Sequence, residues 1–133
     1  MKSLPQAEAT LLIRTDFSDQ AAWEALQTAV ATPQEEDFLA YVDIVDDPAY
    51  RDLTSEQVTS LAADGELLIV ADTTALTEPG MPLLVILKSE GDGGELRVIA
   101  KELASIENNI SIANMDWSEF VDGADEDGVF RGF

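Results

Sequence analysis

The sequence predicts an α/β fold in a single domain, with a largely parallel core of three strands. Short apolar runs alternate with segments of helical periodicity, which is the pattern of β-α-β units. One run, ELLIVADT at 66–73, is continuously apolar, as is typical of a parallel strand buried on both faces. The length of 133 residues suits one domain spanning residues 1–133.

The first strand and helix are predicted from the N-terminal quarter. TLLIRT at 10–15 is a short apolar run that ends at a polar turn. In the segment 18–30, SDQAAWEALQTAV, Trp23 and Leu26 lie at helical spacing. Ser18 is the expected N-cap of this helix.

A second helix is predicted between the second and third strands in the sequence. FLAYVDIV at 38–45 is rich in aromatic and β-branched residues, which favours a strand. Thr54 and Gln57 have the spacing of a capping box, so a helix is expected to begin there and to end at Gly65. The strand at 66–73 then completes a β-α-β-α-β core.

An antiparallel hairpin is expected to extend this core. TALTEPGMP at 74–82 is predicted to be a loop, and PLLVILK and ELRVIA are separated by SEGDGG, whose glycines suit a turn. A proline before a hairpin is also a feature of thioredoxin-like folds, but without cysteine no redox function follows.

The stretch NNISIANMDW at 108–117 has no continuous period and is interpreted as a junction. It follows KELASIEN, a short helical segment, and NISIAN within it is a candidate strand. Asp116 and Glu119 form a capping box that opens a C-terminal helix along DWSEFVDGAD.

The absence of cysteine and histidine removes many kinds of chemistry. It excludes disulfides, thiolate nucleophiles, Ser-His-Asp triads and the usual zinc ligands, and favours a non-enzymatic protein over an enzyme. The start, MKSLPQAEAT, has no apolar signal region, so a cytoplasmic location is expected.

The strong acidity predicts the type of partner. With 27 Asp and Glu against 7 Lys and Arg, the formal net charge is −20, yet 46% hydrophobic residues are enough for a folded core. Such a field repels nucleic acid and anionic membranes and attracts basic protein surfaces. A basic protein partner is therefore expected; the oligomeric state stays open.

Several motifs together resemble a known family. These are RTDFSDQAAWEAL, VDIVDDPAYRDLT, VADTTAL, ENNISIANMDWSEF and DEDGVFRGF. Taken together they are similar to an uncharacterised bacterial family of small acidic proteins, a domain of unknown function, over nearly the whole chain. The resemblance implies a stand-alone bacterial domain and no particular catalytic activity.

Carboxylates follow each of the three predicted parallel strands. Carboxyl ends of parallel strands meet at one edge of a sheet, where ligands of α/β proteins bind, and carboxylate oxygens suit Mg²⁺. The candidate metal ligands are Asp16, Asp46, Asp47 and Asp72. Lys88 or Lys101 would contact a bound phosphate. The alternative is that these aspartates cap turns and helices, as Asp commonly does in loops.

The acidic segment DGADEDG at 122–128 does not fit a calcium loop. If Gly128 takes the place of the EF-hand glycine, Asp125 and Asp127 occupy ligand positions but Gly123 occupies the first. The closing glutamate would lie beyond the sequence. Diffuse attraction of cations is all that this segment supports.

The large aromatic residues are predicted to belong to the core. Trp23 and Trp117 lie on apolar helical faces. In the tail GVFRGF, Phe130 and Phe133 are expected to dock on the domain, with Arg131 near the acidic cluster.

Two functions therefore remain open. The first is a non-enzymatic, immunity-like or regulatory interaction domain for a basic partner. The second is a Mg²⁺-dependent enzyme or metal-binding module that uses the carboxylates at the sheet edge.

Overall fold

The protein forms an α/β fold, as predicted. A computed structural model describes residues 10–31, 42–61, 67–78, 80–87, 95–103 and 117–131. Within these ranges the chain forms one mixed sheet of six strands and four α-helices. Among the helices in these ranges, none combines the length and the hydrophobicity that a membrane span requires.

The elements alternate along the chain. The strands are β1 (Thr10–Arg14), β2 (Val42–Val45), β3 (Leu67–Ala71), β4 (Pro82–Leu87), β5 (Glu95–Ile99) and β6 (Val129–Phe130). The α-helices are α1 (Gln20–Ala31), α2 (Ser55–Leu61), α3 (Thr73–Thr77) and α4 (Trp117–Asp122). Two 3₁₀ helices lie at Pro48–Tyr50 and Ala100–Glu102.

The strand order in the sheet is β2-β1-β3-β4-β5-β6. The strands β1, β2 and β3 are parallel, β4 is antiparallel to both of its neighbours, and β6 is parallel to β5. All strands except β4 therefore point the same way. The end of the sheet at which β1, β2, β3, β5 and β6 finish is called the carboxyl edge below.

The sheet has an apolar layer on each face because successive strand residues point to opposite faces. On the α1 face, strand residues pack with Trp23 and Leu26 of α1. On the α2 face, they pack with Val58 of α2 and with Tyr50. The two sets of strand residues are Leu12, Ile69, Val85 and Val98 on the α1 face, and Leu11, Ile13, Leu68 and Val70 on the α2 face.

The capping box at the start of α2 is confirmed. The Gln57 backbone N–H donates to Thr54 Oγ1 at 3.2 Å, and the Thr54 N–H donates to Gln57 Oε1 at 2.9 Å. The predicted N-cap of α1 is wrong, since the Ala22 N–H donates to Asp19 Oδ1 at 3.0 Å. Ser18 instead binds Asp16, which lies in the loop before the helix.

Two elements were not predicted. The helix α3 lies in the segment expected to be a loop, and only Ala75 and Leu76 of its five residues are buried. A helix this short shows no periodicity. The strand β6 has two residues and follows α4, so that helix is not the last element of the chain.

The predicted core aromatics are confirmed where the structure describes them. Trp23 and Phe130 are fully buried, and Trp117 is 5% exposed. Phe130 meets Phe120 edge to face with 5.3 Å between the ring centroids, a favourable aromatic geometry. Several predictions lie outside the described residues: those for 38–41, Gly65, Lys88, the turn at 89–94, residues 104–116 and Phe133.

Candidate functional site

The carboxyl edge contains a topological switch point between β1 and β3. The strand β1 has β2 on one side and β3 on the other, and the connecting helices α1 and α2 lie on opposite faces of the sheet. Open α/β sheets bind ligands at such a point. Here the Thr15 N–H donates to the Ala71 carbonyl at 3.0 Å, and the Asp52 N–H donates to the Thr15 carbonyl at 2.8 Å, so both backbone groups of Thr15 are bonded within the chain.

Arg14 occupies the end of β1 and is almost fully buried, at 3% exposure. Its Nε donates to the carbonyl of Asp16 at 3.0 Å. Its Nη1 donates to Gln20 Oε1 at 3.1 Å and to Asp46 Oδ1 at 3.2 Å. The guanidinium thus joins the end of β1 to the start of α1 and to the residue that follows β2.

Two aromatic rings contact the same guanidinium. Its central carbon lies 4.3 Å from the centroid of the Phe17 ring and 5.0 Å from that of Trp23. Both distances are within the range of cation–π attraction. The indole N–H of Trp23 donates to Asp46 Oδ2 at 3.2 Å. Both oxygens of Asp46 are therefore engaged, one by Arg14 and one by Trp23.

Asp16 is buried in the loop that follows β1 and accepts hydrogen bonds from this loop. The Ser18 N–H and hydroxyl donate to its Oδ1 at 2.8 and 2.6 Å. These bonds hold the pKa of the Asp16 carboxyl below its ordinary value, against burial, which raises it. A hydrogen bond from Thr73 and the charge of Arg14 also lower this pKa.

Asp47 and Asp72 cap helices. Asp47 Oδ1 accepts the Ala49 N–H at 2.9 Å, at the start of the first 3₁₀ helix. Asp72 Oδ1 accepts the Ala75 N–H at 3.1 Å, at the start of α3. Asp is common in loops because its side chain forms hydrogen bonds of this kind with nearby backbone N–H groups.

Asp72 also forms an ion pair with Arg97 of β5. Nη1 of Arg97 lies 2.8 Å from Asp72 Oδ1, and Nη2 lies 2.7 Å from Oδ2, so the pair is bidentate. Nη1 also donates to the Pro82 carbonyl at 3.1 Å. Arg97 was not singled out from the sequence. The alternation of charged and apolar residues in ELRVI was a signal that its side chain lies on the same strand face as Glu95.

The four predicted ligands lie at one edge, but each has a partner of its own. Among the described residues, no group of three or more Asp or Glu side chains is arranged to hold a metal ion. Lys101 is exposed on the 3₁₀ helix that follows β5, two strands away from β3. The geometry does not support a shared ion for Asp16, Asp46, Asp47 and Asp72, and the metal site stays a prediction.

The acidic turn before β6 is held by Arg131. Its Nη1 lies 2.8 Å from Asp125 Oδ2, and its Nη2 lies 2.7 Å from Asp127 Oδ2. The predicted position of Arg131 near the acidic cluster is therefore confirmed. Hydrogen bonds from Arg131 lower the pKa of Asp127, and the two carboxylates raise the pKa of Arg131.

A cleft of about 390 Å³ opens on the α2 face beside Asp72. It lies over β4 and β5, next to the start of α2. The lining residues are Leu53, Thr54, Asp72, Leu84, Glu95, Leu96, Arg97 and Gly128. This cleft could not be found from the sequence because it depends on the order of the strands.

Comparison with known proteins identifies a family but no activity. None of the curated proteins compared with this chain matches it. Residues 9–133 match a family described as "Domain of unknown function (DUF6924)". The match covers nearly all of the sequence, and the resemblance to a domain of unknown function is confirmed. The chain belongs to the DUF6924 family.

Proposed function

We propose that this chain is a non-enzymatic interaction domain that binds a basic protein, in an immunity-like or regulatory role. The observation that carries the proposal is how its arginines are used. Arg14, Arg97 and Arg131 each form an ion pair with carboxylates of the same chain. Their charges are offset within the chain and therefore do little to neutralise the rest of the surface.

Many exposed carboxylates keep their charge toward solvent. The following are exposed and form no ion pair with a Lys or Arg of the described residues: Asp19, Glu24, Asp43, Asp52, Glu56, Glu78, Glu95, Asp122 and Glu126. Against them stand Arg51 and Lys101, the exposed cations of the described residues outside such pairs. The surface field is therefore strongly negative.

A field of this kind favours a cationic partner. Complementary charge speeds encounter and suppresses wrong partners, while neighbouring like charges repel. The chain also lacks the histidine and cysteine on which most acid–base and nucleophilic chemistry depends. Both features support a binding role more strongly than a catalytic one.

Affinity capture tests the proposal. The immobilised protein is incubated with an extract of its source organism at about 50 mM salt, where exposed charges are weakly screened. A NaCl gradient then elutes the bound proteins for mass spectrometry. An unrelated folded protein of similar negative charge is the control for simple ion exchange.

We expect a retained basic protein that the control does not retain, and an equimolar complex on gel filtration. An immunity-like role further expects that the complex abolishes the partner's activity. Specific retention of an acidic protein, or a complex that salt does not release, contradicts the proposal.

A further inference from the structure

The cleft beside Asp72 is lined by both leucine and charged residues. Its lining includes Leu84 of β4 and Leu53, which lies two residues before α2. Leu84 pairs with Arg97 in the antiparallel register of β4 and β5, and Glu95 pairs with Ile86. Glu95 and Arg97 therefore point to the α2 face, where the cleft opens.

The net charge at the cleft is negative. Asp72 already neutralises Arg97 through a bidentate pair, and both side chains are only about a quarter exposed. Glu95 is exposed, and no Lys or Arg of the described residues forms an ion pair with it. Among the charged residues that line the cleft, Glu95 is thus the one whose carboxylate has no cationic partner in the described structure.

An anionic ligand does not fit this arrangement. Asp72 already neutralises Arg97, and an anion bound to the remaining N–H groups of the guanidinium would lie close to the carboxylates of Asp72 and Glu95. A lysine or arginine side chain meets neither obstacle, because its aliphatic stem packs on apolar surface while its charged end stays near carboxylates.

We propose that this cleft receives a lysine or arginine side chain of the basic partner. The stem lies along Leu53 and Leu84, and the cationic end pairs with Glu95. This inference rests on the proposed function and deepens it, because it states where on the acidic surface the partner is anchored.

Heteronuclear NMR with a defined probe tests the anchor. The probe is an amidated lysine-rich peptide, titrated at about 20 mM salt into the isotope-labelled protein so that screening stays low. The variant is Glu95→Gln, and the matched control is Glu24→Gln. Glu24 is also exposed but lies on α1, which covers the other face of the sheet. Each variant removes one charge and keeps the shape of the side chain.

We expect the largest shift changes at the backbone amides of Leu53, Thr54, Glu95, Arg97 and Gly128. Glu95→Gln should weaken peptide binding about threefold to fivefold, as the loss of one well-placed surface ion pair does, and Glu24→Gln should change it less. The melting temperatures of both variants check that the fold is intact.

Two other results distinguish a failure of the proposed cleft from a failure of the proposed function. Salt-sensitive binding that spreads over the whole acidic surface and weakens equally in both variants overturns the cleft and leaves the proposed function standing. If the peptide does not bind even at low salt, both the cleft and the attraction of basic partners are contradicted.

Discussion

Arg97 and Asp72 form a bidentate ion pair that ties β5 to the residue following β3. The two N–O distances are 2.8 and 2.7 Å, and the same guanidinium binds the Pro82 carbonyl at the start of β4. Because β4 lies between β3 and β5 in the sheet, one side chain connects three neighbouring strands. Both residues also line the cleft.

The substitution Asp72→Ala is expected to lower the free energy of unfolding by about 1–3 kcal/mol. It removes the N-cap of α3 together with the partner of Arg97. Because the ion pair is partly exposed, its contribution to the free energy of unfolding is small. Urea unfolding measures the change. The control Asp43→Ala alters an exposed residue of β2 and should change stability by no more than about 0.5 kcal/mol. If Asp72→Ala and Asp43→Ala changed the free energy of unfolding equally, the pair of Asp72 and Arg97 would not stabilise the fold.

Asp46 and Asp47 are neighbours with different roles, and Asn substitutions separate them. Asp46→Asn leaves the buried charge of Arg14 without its carboxylate and should cost about 1–3 kcal/mol, less than for a fully buried pair because Asp46 is partly exposed. Asp47→Asn keeps a good capping residue and should cost no more than about 0.5 kcal/mol. Chemical denaturation of both variants checks the order. A larger loss of unfolding free energy for Asp47→Asn than for Asp46→Asn would contradict this assignment of roles.

The lowered pKa of Asp16 makes part of the stability depend on pH. Since its folded pKa lies below the unfolded value, Asp16 contributes stability that is fully present above about pH 4 and is lost as the pH falls through the folded pKa. The variant Asp16→Asn lacks this contribution. The difference in unfolding free energy between wild type and variant should therefore be constant near neutral pH and shrink in acid. A difference that does not change with pH would refute the explanation.

Calorimetric titration with Mg²⁺ decides the alternative function. Because Asp16, Asp46, Asp47 and Asp72 each have separate partners, we expect weak, non-stoichiometric heats that Asp16→Asn and Asp72→Asn leave unchanged. A single stoichiometric site weakened by both substitutions would instead support the Mg²⁺-dependent module. Each substitution removes a negative ligand while preserving its shape, so such a result would be specific.

Local sequence signals were sufficient for much of the fold. The capping box of Thr54 and Gln57, the apolar run of β3 and the spacing of Trp23 and Leu26 depend on residues close together in the chain, where propensity and periodicity act. The position of the carboxylates at one edge also followed from parallel strands. The helix α3 was missed because two buried residues cannot establish a period.

The contacts of the site could not be predicted from the sequence because they join residues that are far apart in the chain. Arg14 meets Asp46 across 32 positions, and Arg97 meets Asp72 across 25 positions. Arginine is rarely buried, so nothing local indicated that the Arg14 guanidinium would contact the rings of Phe17 and Trp23. The cleft likewise depends on the antiparallel pairing that places Arg97 opposite Leu84.

The salt dependence of the dissociation constant of the captured complex tests the central claim most directly. If the acidic surface binds a basic partner, the constant should rise by about tenfold or more between about 50 and 300 mM NaCl, because added ions screen the attraction. This dependence of the dissociation constant on salt concentration should become weaker when exposed Asp and Glu residues at the interface are replaced by Asn and Gln. A dissociation constant that is unchanged over this range would contradict the claim that the negative surface determines binding.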